Sequence, residues 1–256
     1  IPARLDSSRL KKKLLMEIEG RSMITHVWER AVSANIGKVL VATDSIEIGE
    51  QIHVLGGDVI ITEKNHVSGT DRVYEAIEKF DPEKKFQIVV NLQGDLPLIE
   101  KDALDKVVQI LKSSTAGMGT LASLTPMGKD DLINENIVKV QVHNKQAVNF
   151  LRNVSSVHLN QINQYFHHIG IYSFKRKILE KFVITESTLR ERSEKLEQLR
   201  AMDIGIKIEV AFFKPQTEIN ILGVDKESIN NLDFETISGN SIKPHKALFP
   251  RIENDD

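Results

Sequence analysis

Apolar residues in the early part of the chain alternate between two spacings. Short, β-branched and nearly all-apolar runs stand at Lys38-Val39-Leu40-Val41-Ala42-Thr43, at Asp58-Val59-Ile60-Ile61-Thr62 and at Phe86-Gln87-Ile88-Val89-Val90-Asn91-Leu92, the composition of strands buried on both faces. Between them the apolar positions return at helical spacing. Met23, Val27, Trp28 and Ala31 follow a capping Ser22, a second helix is predicted over Ile46–Leu55 and a third over Thr70–Lys79. Strand, helix, strand, helix implies an α/β fold with a mostly parallel sheet and helices on both faces.

The pattern changes after a further helix at Leu104–Leu111. Asn136–His143 and Gln146–Leu151 alternate around Asn144-Lys145, a polar turn pair, so an antiparallel hairpin is predicted as an insert. His167–Phe174 reads as a strand, Glu186–Met202 as one helix, Lys207–Phe213 as a strand, and a short helix is expected after Asp225. Residues 235–256 carry Pro244 and Pro250 with little periodicity, which predicts a loosely ordered tail. The expected organisation is one domain over 1–234. The opening Ile1-Pro2-Ala3 reads as the end of a strand whose beginning lies upstream.

Composition narrows the function classes. The chain has 256 residues, with 34 Lys+Arg against 36 Asp+Glu and a formal net charge of −2, so the cationic excess that non-specific nucleic-acid binding needs is missing. With no Cys, disulfides, thiolate metal sites and Cys nucleophiles are excluded together. No apolar run approaches the roughly 20 residues that span a bilayer, and a soluble cytoplasmic protein is the expectation.

Against this near-neutral average, Arg4, Arg9, Lys11, Lys12 and Lys13 crowd into one loop directly after the first strand. Ligands of open α/β sheets bind beyond the carboxyl ends of the strands, so this loop is either a polyphosphate site or a solvated basic segment. Gln93-Gly94-Asp95-Leu96-Pro97 leaves the most apolar strand. Asp95 there is either a ligand for a hard cation or an ordinary turn residue. Asp225, in Gly223-Val224-Asp225, is a second carboxylate candidate or a helix cap. Ser68-Gly69-Thr70-Asp71-Arg72 opens a helix whose N-terminus favours an anion, although a plain Ser/Thr-capped helix start is the commoner explanation. His168, Gly170 and Tyr172 share one strand face. Two formal matches fail on context: Gly117-Met118-Gly119-Thr120-Leu121-Ala122 enters a strand instead of leaving one, and Ser8-Arg9-Leu10-Lys11 lacks the partners of an acyl-transfer serine.

Ile1-Pro2-Ala3-Arg4, Ser8-Arg9-Leu10 with Lys13, Val41-Ala42-Thr43-Asp44, Ser68-Gly69-Thr70-Asp71-Arg72, Asn91-Leu92-Gln93-Gly94-Asp95, His168-Ile169-Gly170-Ile171-Tyr172, Leu196-Glu197-Gln198-Leu199-Arg200 and Gly223-Val224-Asp225 follow one another in this order. Taken together over Ile1 to about Leu232, they make the chain resemble the 3-deoxy-manno-octulosonate cytidylyltransferases. The resemblance implies a Rossmann-like nucleotidyltransferase fold and transfer of CMP from CTP to 3-deoxy-manno-octulosonate (Kdo), with release of pyrophosphate, for lipopolysaccharide synthesis. It implies Mg²⁺ as cofactor, held by Asp95 and Asp225, and catalytic roles for Arg9, Lys13, Asp95 and Asp225. Pro2, Ala3, Arg4, Arg9, Lys13, Thr70 and Arg72 would bind the nucleotide; Gln93, Arg152, His168, Tyr172, Glu197 and Gln198 would bind the sugar acid.

A homodimer built through the insert at about 136–174 is implied as well, with no nucleic-acid partner and no membrane insertion. Where the family usually has Pro, this chain has Lys11 and Leu14, and where it usually has Glu after Gly-Asp, Leu96 stands. The phosphate loop is therefore expected to be less rigid and the crevice to carry one charge fewer. A cytidylyltransferase for a sialic-acid-type sugar, or a catalytically silent nucleotide-binding relative, would share most of these motifs.

Overall fold

In the strand Ile88–Leu92, Ile88, Val90 and Leu92 pack into one apolar cluster while Val89 packs into another. Side chains two apart share a face, so this strand is covered by helices on both sides. The computed structural model describes residues 1–5, 12–124, 127–154 and 165–215. Their elements in chain order are β1 (Pro2–Ala3), β2 (Glu17–Ile18), β3 (Arg21–Ser22), α1 (Met23–Ala34), β4 (Leu40–Thr43), α2 (Ile46–Val54), β5 (Asp58–Ile61), α3 (Gly69–Phe80), β6 (Ile88–Leu92) and α4 (Lys101–Ser113). There follow β7 (Met118–Ser123), α5 (Lys129–Ile133), β8 (Lys139–His143), β9 (Gln146–Leu151), β10 (Tyr165–Lys175), α6 (Arg176–Ile184), α7 (Leu189–Glu194), α8 (Gln198–Asp203) and β11 (Ile208–Phe213). The short helix expected after Asp225 and the tail 235–256 lie outside the described residues.

The parallel arrangement expected from the sequence is present in a three-stranded sheet, β1-β4-β5, with both pairings parallel. The other sheet departs from it. Its six strands run β6-β10-β7-β11-β9-β8, and of these pairings only β7 with β11 is parallel. The cause is β10, an eleven-residue strand that lies antiparallel between β6 and β7. Its first residues pair with β8 as well, Tyr165 opposite Gln141 and His167 opposite Lys139, so β10, β7, β11, β9 and β8 close on themselves. The predicted hairpin is thus present as β8–β9, with Asn144 and Lys145 both at positive φ in its turn.

Two core clusters flank the sheets. One joins α1 and α4 to β6, β7 and β10 through Val27, Leu104, Val107, Leu121 and Ile169. The other joins α3, α6 and α8 to the opposite face through Val73, Phe174, Phe182 and Leu199. Gly119, inside the pattern dismissed as a nucleotide fingerprint, serves close helix packing: a Cβ there would stand 2.6 Å from Ser173 Oγ and 3.0 Å from an Ile110 methyl. Ser68 caps α3 in a reciprocal box with Asp71, and Ser45 caps α2 by accepting from the Ile48 N–H at 3.3 Å. Ser22 precedes α1 without a capping bond; its hydroxyl instead meets that of Thr25 at 2.9 Å.

The helix predicted over Glu186–Met202 is two helices, α7 and α8. Lys195 ends α7 in the left-handed region, φ 54°. That turn reorients the chain, so that Leu196-Glu197-Gln198 faces the loop after β6 and the middle of β10 rather than continuing along one helix face.

Candidate active site

A cavity of about 670 Å³ opens where the loops after β1 and β6, the start of α3, the middle of β10 and the α7–α8 turn converge. Arg4, Gln93, Asp95, Arg152, His168, Tyr172, Glu197 and Gln198 all line it. These residues come from separate segments of the sequence. The position beyond the carboxyl ends of β1 and β6 is where open α/β sheets hold ligands.

The loop after β6 carries the acidic side of the mouth. Asp95 accepts a hydrogen bond from Lys13 Nζ at 2.6 Å, bringing the basic loop and the carboxylate together. Gly94 makes the approach possible, since a Cβ there would sit 3.1 Å from the Pro2 carbonyl oxygen and 3.1 Å from Leu14. Leu96, standing where the family usually has Glu, is buried in the cluster of α1 and α4 while bordering the cavity. Leu14 likewise packs into the core beneath this loop. These two departures from the expected pattern are therefore absorbed as apolar packing; the third, Lys11, lies outside the described residues. Pro2 and Ala3 are buried in β1 behind Gly94. Arg9 and Asp225 lie outside the described residues.

His168 and Tyr172 stand on the face expected for them, their ring centroids 5.5 Å apart, although the register of β10 on β7 shifts between Ile169 and Tyr172. The Thr120 hydroxyl bridges this irregularity, donating to the Ile171 carbonyl at 2.8 Å and meeting His168 Nε2 at 3.0 Å. A hydroxyl has one proton, so with it spent on the carbonyl the imidazole supplies the proton of the second bond, leaving Nδ1 as the ring's acceptor. Burial, and then the neighbouring His167, hold His168 down to about 3, so it is neutral at physiological pH. Burial pushes the Tyr172 phenol well above its ordinary value, with the Glu197 carboxylate adding to the shift. Both side chains are neutral hydrogen-bonding groups.

On the opposite wall, burial raises the Glu197 pKa while the hydroxyls of Thr70 and Ser68 oppose the rise. Glu197 Oε2 and Gln198 Nε2 are buried atoms that make no hydrogen bond among the described residues. Such groups cost stability unless something supplies the missing partners. One acceptor and one donor are thus held ready at the cavity wall. Arg200, two residues on, anchors this wall through a two-pronged pair with Glu191 at 2.8 and 2.6 Å.

Three of the expected ligand residues are engaged elsewhere. Arg72 is buried and donates to Asp44 Oδ2 at 3.0 Å and to the Glu63 carbonyl at 3.1 Å, tying α3 to the ends of β4 and β5. Arg152 lines the cavity, but its three guanidine nitrogens donate to the carbonyls of Glu194, Glu135 and Lys195 at 3.0, 3.0 and 3.2 Å. Thr70 is buried beneath the wall, against Glu197. Sequence reasoning missed Arg192 and Lys195, exposed cations at the same cavity, because charges at 190–195 look like a solvated helix face. A second cavity of about 800 Å³ between α3 and α6–α7 shares Val67, Ser187 and Arg192 with the first. Its Glu75, raised by burial but held by Lys79, His66 and the Glu63 backbone, ends at about 2.

Comparison with known proteins finds relatives over most of the chain. A family model described as cytidylyltransferase matches residues 1–208. The chain is 38% identical over 229 residues to a 3-deoxy-manno-octulosonate cytidylyltransferase of Bartonella bacilliformis, covering 88% of this chain and 91% of that protein. It is 40% identical over 213 residues to the protein of that name from Rhodopseudomonas palustris, covering 82% and 86%. Among solved structures, a CMP:2-keto-3-deoxy-manno-octonic acid synthetase complexed with CTP superposes with a TM-score of 0.78 at 32% identity, over 90% of this chain and 93% of that one.

Proposed function

The chain belongs to the cytidylyltransferase family, and from that premise we propose that it transfers CMP from CTP to 3-deoxy-manno-octulosonate, giving CMP-Kdo and pyrophosphate. The observation that carries the reading is one cavity lined by a basic and carboxylate loop on one side and by neutral hydrogen-bonding groups with two unpartnered polar atoms on the other. The first side suits a triphosphate. The second suits a polyhydroxylated acid, whose hydroxyls are donors and acceptors at once.

The anomeric hydroxyl oxygen attacks the α-phosphorus and loses its proton to solvent, the bond from that phosphorus to the bridging oxygen of the β-phosphate breaks, and pyrophosphate carries away the electron pair. No side chain need form a covalent intermediate. Arg4 and Lys13, with Arg9, neutralise the triphosphate, and the residues along β10 and α8 orient the sugar hydroxyl toward the phosphorus. Gln93, Arg152, His168, Tyr172, Glu197 and Gln198 form the sugar side, with Arg152 acting through the carbonyls it gathers. Arg72 supports the nucleotide side from beneath.

Mg²⁺ is the proposed cofactor. A hard cation of this kind asks a protein for only one or two carboxylates and takes its other ligands from phosphates and water. Asp95 fits that demand: it is a partly exposed oxygen ligand at the mouth, already paired with a cation, Lys13. Asp95 with Asp225 would hold the ion, which when bound supplies neutralisation of the charge developing on the phosphates.

The proposal extends to a homodimer through the region 136–174, supported by the exposed apolar side chain Val148 on the hairpin. Sedimentation of the purified protein tests it. No helix among the described residues is long and apolar enough to cross a membrane; the proposed setting is the cytoplasm, where the CMP-sugar enters lipopolysaccharide synthesis. Side-by-side turnover of Kdo and a sialic acid, each with CTP and Mg²⁺, tests the substrate. Kdo should be used at least tenfold more efficiently; equal use, or preference for the sialic acid, would overturn the assignment.

A further inference from the structure

Beneath the cavity wall a line of buried and part-buried hydrogen bonds joins two of its lining residues. Gln93 Nε2 donates to Asn91 Oδ1 at 3.1 Å, Asn91 Nδ2 donates to Thr70 Oγ1 at 2.9 Å, and Thr70 Oγ1 donates to Glu197 Oε1 at 2.8 Å. Asn91 and Thr70 are fully buried. Neither lines the cavity, whereas Gln93 and Glu197 both do.

The directions follow from counting protons. The Asn91 amide nitrogen only donates, so the Thr70 oxygen accepts from it and its single proton is left for Glu197 Oε1. That orientation turns the Asn91 amide oxygen toward Gln93, whose amide nitrogen donates to it, and so fixes Gln93 in turn. The buried line leaves Glu197 Oε2 as the carboxylate's free acceptor and Gln93 Oε1 as the outward end of its amide. With Gln198 Nε2 unpartnered beside them in sequence, the wall presents a set pattern of acceptors and a donor.

We infer that Thr70 and Asn91 are positioning residues for the acceptor substrate: they hold Glu197 and Gln93 in the orientation that reads the hydroxyls of the sugar acid. This rests on the proposed cytidylyltransferase function and assigns to Thr70 a role on the sugar side, where the sequence pattern had suggested the nucleotide side. The capping bonds of α3 run between Ser68 and Asp71 and do not involve the Thr70 hydroxyl. The Thr70 hydroxyl is therefore separable from the helix cap.

The test is a pair of substitutions in the whole chain. Thr70→Val keeps the shape and removes the hydroxyl, while Thr70→Ser keeps it. Thr70→Val should raise the KM for Kdo by about tenfold or more and leave the KM for CTP within about twofold, and Thr70→Ser should stay within about threefold of wild type for both. Unchanged Kdo KM in Thr70→Val, equal losses for both substrates, or a Thr70→Ser protein as impaired as Thr70→Val would overturn the inference. A double-mutant cycle of Thr70→Val with Glu197→Gln, read by urea unfolding without substrate, separates the relay from the reaction. The two should be non-additive by about fivefold or more in the unfolding constant; additivity would overturn the relay. A wild-type protein inactive on CTP and Kdo rejects the function alone, and the cycle still decides the relay.

Discussion

Replacing Arg200 by Met should destabilise the protein more than any other single change at the cavity wall. The guanidinium is buried and meets Glu191 through Nε at 2.8 Å and Nη2 at 2.6 Å, with side-chain exposures of 3% and 8%. Nη1 donates to the carbonyls of Phe182 and Thr185 at 3.4 and 3.3 Å, lies 3.6 Å from Asp71, and the group stacks 4.5 Å from the Phe182 ring centre. Removing the cation leaves a buried carboxylate whose remaining partner among the described residues is the Thr188 backbone N–H at 3.2 Å. Breaking a buried pair from one side costs about 3–5 kcal/mol. At roughly 2–4 °C per kcal/mol for a chain near this size, the midpoint should fall by about 6–20 °C. The companion variant Arg200→Met with Glu191→Gln no longer buries a lone charge and keeps an acceptor for the Thr188 N–H, so it should recover at least half of the loss. Urea and thermal unfolding followed by circular dichroism measure both. A loss below about 1 kcal/mol for the single variant, or a double variant no better than the single, would refute the reasoning.

Other outcomes follow from the same contacts. Asp95→Asn should abolish metal-dependent turnover while leaving the melting temperature within a few degrees, because Asp95 is partly exposed and its one ion pair is to Lys13; wild-type rates would remove Asp95 from the site. Gly94→Ala should cost about 1–3 kcal/mol and lower turnover, since the new methyl meets the Pro2 carbonyl oxygen and Leu14 at 3.1 Å and pushes the Asp95 loop outward; an unaffected enzyme would show that the loop has room. Lys139→Met should cost about 1–3 kcal/mol, because the buried ammonium donates to the carbonyls of Asn134, Ile137 and Arg152 at 2.5, 2.7 and 2.7 Å.

His168 and His167 are held down to about 3 and about 4, mainly by burial. In the unfolded chain both titrate near 6.5. Unfolding therefore takes up protons between those values, and stability is full above about pH 6.5 and falls on acidification by about 1.4 kcal/mol per pH unit for each histidine. His168→Gln should flatten that slope in urea midpoints measured between pH 7 and about 4.5; an unchanged slope would refute the assignment.

The parts of the fold legible in the sequence are those where local chemistry and final environment agree. The mainly apolar runs of β4 and β6 reflect cover on both faces, whereas β5, read the same way from its sequence, is the edge strand of its sheet and leaves Ile61 exposed; α2 and α3 carry capping serines that do cap. The antiparallel insertion of β10 between β6 and β7 was not legible, because a strand's partners depend on topology and not on its own spacing. Helix α6 escaped notice for a different reason: it starts at Arg176, directly after β10 ends at Lys175, with no turn residue to mark the change. The break at Lys195 adopts a left-handed conformation in a residue that ordinarily signals nothing of the kind.

At the site, the motif residues Gln93, Asp95, His168, Tyr172, Glu197 and Gln198 are gathered at one cavity. The partners that occupy Arg72 and Arg152 were invisible in the sequence, since backbone carbonyls brought near by folding leave no trace in it. Asn91 and Thr70 could be named from their motifs, but only the packing of α3 on β6 and α8 shows which bonds they make.

The central claim is that this cavity joins CTP to a Kdo hydroxyl. Its most direct measurement is pyrophosphate release by the full chain with CTP and Mg²⁺, with and without Kdo. Release should require Kdo and the cation together and should match CMP-Kdo formed one for one. Release that ignores Kdo, or none above background from protein that binds CTP, would contradict the claim.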